Sequence, residues 1–339
     1  MTIRYALACL LFAISFAVRA EDRAVLDAAR KEGALAVASS APGENFQAFM
    51  AKFKERYPFL DIATGFYSGP TGRVLARVNA EIDAKRLTFD VMLAANTAAW
   101  IDMTRQGRIA RYESAEYAAY PEHARMDGYW AAAQAIAVIP VYNRNFLSSA
   151  EAPSSWADLL AARFAGRKMA IQNAAAGTQF NWSYLLGQAL GSGYEVNFAA
   201  QHPVIMATGA QMTDAIVRGE VVLGAALDHW RAFTPEARDA GLVAIYPKEG
   251  VPLTLVPAGI LAGAPHPNAA KLFVDFLLSQ EGQRLLDTEL YGMYSMRPDV
   301  PPPPGQQPLS AVRALLPSDL DGYLKASAGF SAHFESLFR

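Results

Sequence analysis

Cysteine is the scarcest residue type: Cys9 is the only one in a chain of 339 residues. It lies in an N-terminal apolar segment that reads as a cleaved leader, so the exported chain has no disulfide and no thiol chemistry. Stability must then come from apolar burial. An excess of basic charge is also missing, with 30 Lys and Arg against 32 Asp and Glu. That balance removes the basic face a nucleic-acid partner requires. Past the leader there is no long hydrophobic run. The best candidate, Leu253 to Ala264, is broken by Pro257 and two glycines and falls short of the roughly 20 residues that cross a bilayer. Catalytic signatures are absent as well: there is no GxSxG elbow, no GxxxxGK[ST] loop and no GxGxxG turn, and no HExxH or i, i+4 pairing among the five histidines. A secreted hydrolase would have to scatter its Ser, His and Asp through the fold, with His229 as base.

At the N-terminus, Arg4 precedes an apolar core from about Ala6 to Val18, closed by Val18, Arg19 and Ala20. This is the layout of a secretory signal peptide over residues 1–20, which predicts a mature chain starting at Glu21 in the periplasm. A chain of this length, 52% hydrophobic, exceeds one hydrophobic core and predicts two lobes.

The mature chain repeats a strand–loop–helix unit. Ala24 to Gly33 is a helix ended by glycine. A short apolar strand then leads through the loop Ser39 to Gly43 into an amphipathic helix carrying Phe46, Phe49, Met50 and Phe53. Further units predict strands at about 59–65, 89–93 and 221–226, and loops at 67–69, 94–96 and 172–177. Helices are predicted from Thr71, before Gly107, before Gly191 and before Gly219. Alternation of this kind predicts parallel α/β sheets with ligand sites at the carboxyl ends of the strands. Two apolar stretches, 129–147 and 251–286, lack the unit and read as passages between lobes. The run "RPDVPPPPGQQP" is an extended connector, because proline removes the backbone donor. A last helix from about Ser318 would pack Tyr323, Leu324, Phe330 and Phe334 back on the body.

Several stretches carry a resemblance: "AARKEGALAVASSAP", "YSGPTGRVLARVNAE", "FDVMLAAN", "AVIPVYNRN", "SSWADLLAARFAGRKMAIQN" and "PNAAKLFVDFLLSQEGQRLL". In this order and spacing the chain resembles the periplasmic solute-binding proteins of ABC importers, in the branch of ferric-ion, polyamine, thiamine and phosphonate binders. The resemblance implies an α/β, two-lobed periplasmic binding protein fold (type II) with two crossing segments. The first lobe would comprise 21–137 plus 259–339 and the second 138–258, with a small ligand enclosed between them. It implies docking on an inner-membrane ABC permease, no catalysis and no cofactor; a monomer is expected.

Ferric members of that family carry adjacent tyrosines after the strand that corresponds here to "VVLGAAL". This chain has Asp228, His229 and Trp230 there and no Tyr-Tyr pair anywhere. A hard trivalent cation favours anionic oxygen ligands, so an organic ligand, anionic or zwitterionic, is the expectation and ferric or other metal binding the alternative. The candidate contacts are the short polar residues at the strand ends: Ser39, Ser40 and Asn96, with Asn173, Thr178 and Gln179 in the second lobe. Ser68, Thr71 and Gly72 are added because a helix start at Thr71 offers free donors to an anion. Asp228, His229 and Trp230 form the selectivity element. Each of these has a structural alternative, since Ser, Thr, Asn and Asp are ordinary helix caps and Trp packs in cores.

Overall fold

The computed structural model describes residues 23–41, 43–62 and 65–338. The predicted signal peptide over residues 1–20 lies outside the described residues. Among the described residues no helix is long and apolar enough to cross a membrane.

The first helix ends at Gly33, whose φ of +71° is the left-handed turn-off that glycine adopts without strain. There follow β1 (Val37–Ser39), α1 (Gly43–Arg56), β2 (Phe66–Ser68), α2 (Thr71–Asp83), β3 (Val91–Leu93) and α3 (Thr97–Arg105). Strand β1 pairs in parallel with both β2 and β3. Strand β2 lies later than the predicted 59–65. Residues 59–62 turn and contribute an isolated bridge from Asp61 to Ala34. Pairing proper begins after Gly65, where a Cβ would sit 2.3 Å from the Leu35 carbonyl oxygen.

The second half contributes β4 (Trp130–Asn143), β5 (Met169–Gln172), α4 (Gly177–Leu190), α5 (Gly193–Ala199), β6 (Val204–Met206), α6 (Gly209–Val217), β7 (Leu223–Asp228) and β8 (Leu242–Ala244). Strand β9 (Val251–Ile260) then returns to the first half, and α7 (Pro267–Leu278) and α8 (Leu320–Leu337) complete the fold. The strand order is β2-β1-β3-β9-β4-β7-β5-β6.

Strand β4 is buried along its whole length and belongs to both halves. Trp130 to Ala137 pair with β9, whereas Val138 to Asn143 pair with β7 and β8. Its register with β7 shifts between Ile139 and Val141, at Pro140, and the register of β9 with β4 shifts between Val256 and Pro257. Proline cannot donate to a ladder, and Pro140 is left unpaired at the first shift; at the second, Pro257 stays opposite Ala132 and the extra residue is Ala133 of β4.

The predicted aromatic stripe of α1 is core. Phe46, Phe49 and Phe53 are buried and pack on Phe273 of α7, the last two also on Phe276. Helix α7, after the second crossing, therefore completes the first half. A second cluster around Trp156, Trp182 and Phe198 fills the other half and takes in Tyr323, Phe330 and Phe334 of α8. The proline-rich stretch between α7 and α8 has no regular structure and rests on Arg238, which donates to the Pro304 carbonyl at 2.6 Å.

Candidate functional site

The carboxyl ends of the strands in the two halves face one another across a cavity of about 570 Å³. Ser40 follows β1, and Ser68 and Gly69 lead from β2 through Pro70 to Thr71, Gly72 and Arg73 at the start of α2. From the other half come Gln172, Asn173, Gly177 and Thr178 between β5 and α4, Thr208 and Gly209 at the start of α6, and Asp228, Trp230 and Arg231 after β7. Gln134, Ile136 and Val256 of the crossing strands form the floor, with Met293 beside them.

Three helices start at this cavity. Neither α2 nor α4 has a side-chain cap, whereas α6 is capped by Thr208, whose hydroxyl accepts from the Gln211 amide. The first-turn N–H groups of a helix have no partner within the helix and lie at the positive end of its dipole. The starts of α2 and α4 are in contact. A Cβ on Gly177 would lie 2.3 Å from the Ala95 carbonyl oxygen and 2.9 Å from Thr71 Oγ1, so glycine sets how closely the halves approach. The start of α6 meets Arg231, whose Nε lies 2.6 Å from where a Cβ on Gly209 would be.

Electrostatics at the Asp228 corner are mixed. Burial raises the Asp228 carboxyl above its ordinary range, while Arg231, Thr178 and Gln172 favour its ionised form. Its Oδ2 lies 3.8 Å from Arg231 Nε. The Arg231 guanidinium covers the Trp230 ring at 4.3 Å from the centroid, and burial lowers its pKa. Several buried atoms around the cavity have no hydrogen-bond partner among the described residues: Gln134 Nε2, Gln172 Nε2, Trp230 Nε1, Arg231 Nε and Asp228 Oδ1. Buried polar groups in folded proteins are overwhelmingly satisfied; Gln172 and Arg231 lie beside Asp228, and Gln134 beside Asp287, at more than ordinary hydrogen-bond length.

Of the residues singled out from sequence, Ser40, Ser68, Thr71, Gly72, Asn173, Thr178, Asp228 and Trp230 line the cavity. Ser39, Asn96, Gln179 and His229 do not. Ser39 is fully buried at the end of β1 and accepts from the Ala41 amide at 3.0 Å. Asn96 caps α3, its Oδ1 accepting from the Ala99 amide at 3.0 Å. Gln179 is buried in α4, with both amide atoms unpartnered among the described residues. His229 does not line the cavity: it opens the turn His229–Ala232 that follows β7, and its ring is fully buried in the core. Its Nδ1 accepts from the Ala137 amide at 3.1 Å, and its ring stacks on Tyr294 at 4.5 Å, with 1° between planes. Burial pushes its pKa down to about 3, partly opposed by the Ala137 amide and Gln306. A neutral ring with Nδ1 as acceptor carries its proton on Nε2.

Sequence reading missed Gln134, Gln172, Met293 and the start of α6. Gln134 had a usable signal, being the one amide in the apolar run from Trp130 to Tyr142. Thr208 had another, as a cap residue ahead of a helix.

Two α/β halves joined by crossing strands, with a polar cavity at facing strand ends, define a type II periplasmic binding protein fold. The chain belongs to the family of bacterial extracellular solute-binding proteins, whose pattern its residues 35–293 match. An uncharacterised protein of Haemophilus influenzae is 27% identical over 284 residues, which is 80% of each chain. Among solved structures, iron-bound HitA from Pseudomonas aeruginosa has a TM-score of 0.78 at 19% identity, over 90% of this chain and 99% of its own. AfuA from Actinobacillus pleuropneumoniae, with fructose-6-phosphate bound, has a TM-score of 0.76 at 20% identity, over 90% of this chain and 98% of its own. At these identities the likeness establishes the fold. Iron in one and a sugar phosphate in the other leave the ligand to be argued from the residues of this cavity.

Proposed function

We propose that this protein is the periplasmic substrate-binding component of an ABC importer and that it captures a small anionic or zwitterionic organic ligand by closure of two lobes. The carrying observation is the convergence of three helix starts on one cavity, alongside Arg73, Arg231 and the buried indole N–H of Trp230, with Gln172 beside Asp228 and Gln134 beside Asp287. Donors fixed in advance favour a group with several acceptor oxygens, such as a carboxylate, phosphate or phosphonate. Because contacts come from both halves, such a ligand binds the closed form more tightly than the open one, and that difference drives closure. The lobes are proposed as 21–137 plus 259–317 and 138–258, since β4 changes partners between Ala137 and Val138, with α8 seated mainly on the second lobe instead of the first, to which the sequence reading assigns it. After release of residues 1–20 the mature protein would work as a monomer, deliver the ligand to an inner-membrane permease and need no cofactor.

Metal capture is less favoured by the donor set. Among the described residues Asp228 is the only acidic side chain lining the cavity, and no group of three or more His, Cys, Asp or Glu suited to a metal occurs among them. Hydrolysis with His229 as base is disfavoured by its orientation into the core.

Native mass spectrometry of the protein purified from its own periplasm should reveal a bound organic anion. In a thermal-shift screen, carboxylates, phosphates or phosphonates should raise the melting temperature. A rise with ferric ion alone would overturn the reading.

A further inference from the structure

Asp228 makes no side-chain hydrogen bond of ordinary length in this fold, although Arg231, Thr178 and Gln172 lie close enough to favour its charged form. It stands at the N-cap of the turn His229–Ala232 yet makes no side-chain cap hydrogen bond. Its Oδ2 is beyond hydrogen-bond distance of Arg231, and its Oδ1 is buried without a partner among the described residues. The surroundings are otherwise rich in donors: Gln172 Nε2, Trp230 Nε1 and Arg231 Nε are each buried and unpartnered, and α4 and α6 begin beside it. Donors of this kind accept any oxyanion. A carboxylate among them does not, because it repels a second full charge and attracts a ligand hydrogen.

Building on the anion reading above, we propose that Asp228 is a specificity-determining residue: it selects ligands that carry a hydrogen-bond donor beside their oxyanion, such as a hydroxyl, an ammonium or an acidic P–OH, and discriminates against fully ionised oxyanions lacking one. Discrimination of this type comes from a penalty on the wrong ligand as much as from a contact to the right one. A site with a buried, committed acceptor rejects the analogue that leaves that acceptor unpaired.

The test is titration calorimetry on the mature protein at neutral pH, refolded after removal of co-purified ligand, with matched probes. Hydroxymethylphosphonate, methylphosphonate and methanesulfonate form one series, and glycolate and acetate a second. Wild type should bind the phosphonates at least tenfold more tightly than methanesulfonate, and glycolate at least tenfold more tightly than acetate. Asp228→Asn, which offers both an acceptor and a donor, should narrow each ratio to less than about threefold and improve methanesulfonate binding. Asp228→Ser, smaller than either, serves if the asparagine variant fails to fold. Equal affinities within the pairs in wild type, or ratios preserved in the variants, would overturn this inference and leave anion capture standing. Failure of every probe to bind wild type would remove both.

Discussion

At the scale of single residues, His229 shows how a polar side chain beside a cavity can serve the core instead. Fully buried, it keeps the Ala137 amide bonded at the point where β4 changes partners. Its pH behaviour follows from the depressed pKa of about 3, against about 6.5 in an unfolded chain. Between those values the unfolded chain binds a proton that the folded chain does not, so stability is full above pH 6.5 and falls as the pH drops towards 3. The slope from this residue is at most about 1.4 kcal/mol per pH unit. Asp228 and Asp287 have raised carboxyl pKa values from burial and act in the opposite sense, so the comparison to make is with His229→Gln. That variant keeps an acceptor for the Ala137 amide and should flatten the decline in urea midpoint between pH 6.5 and 4. His229→Ala leaves that amide unpaired and a cavity against Tyr294, and should cost about 2–4 kcal/mol at pH 7 in the same measurement.

At the scale of elements, the helix starts carry the proposed ligand chemistry and Gly177 sets their spacing. A methyl group there would collide with the Ala95 carbonyl, a backbone atom that cannot swing aside. Gly177→Ala should therefore hold the halves apart. Small-angle scattering should give a larger radius of gyration than wild type when both carry co-purified ligand, and an unchanged radius would count against Gly177 as the point of approach. These elements were largely legible in the sequence, because each rests on local patterning: glycine ends the helices, and period-3.6 apolar spacing marks α1. What escaped depends on long-range pairing. The strand predicted at 59–65 slipped to Phe66–Ser68 because register with β1 is fixed by the close pass of Gly65 over Leu35. Asn96 and Ser39 sit at strand ends, as ligand contacts would, and only coordinates separate a cap or a turn-closing hydroxyl from a cavity group. Gln134 was hidden for the opposite reason: it belongs to a crossing strand whose alanines read only as core.

At the scale of the molecule, α8 links what the hinge would separate. Tyr323 is buried between α4, where its hydroxyl donates to Asn181 Oδ1, and α3, where Thr97 and Ala98 lie beside it. Asp321 pairs with Arg105 of α3 at 3.1 Å, an exposed contact worth little by itself. Further along, Phe330 packs on Phe180 of α4, and His333 Nε2 lies 2.9 Å from Glu195 Oε2 on α5. The helix thus rides mainly on one half while its first turn also grips the other. Any opening of the cleft that parts α3 from α4 must pull Tyr323 out of one of its two packing sites. Tyr323→Ala should cost about 3–5 kcal/mol in stability, a loss that reports packing alone and says nothing of motion. Removal of residues 318–339 is the discriminating change. If α8 restrains opening, the truncated protein, once freed of ligand, should scatter with a larger radius of gyration than equally ligand-free full-length protein, and ligand should restore the compact value in both. Equal ligand-free radii would mean that α8 travels with one half as passive packing, because a link that grips both sides cannot be cut without widening the distribution of openings.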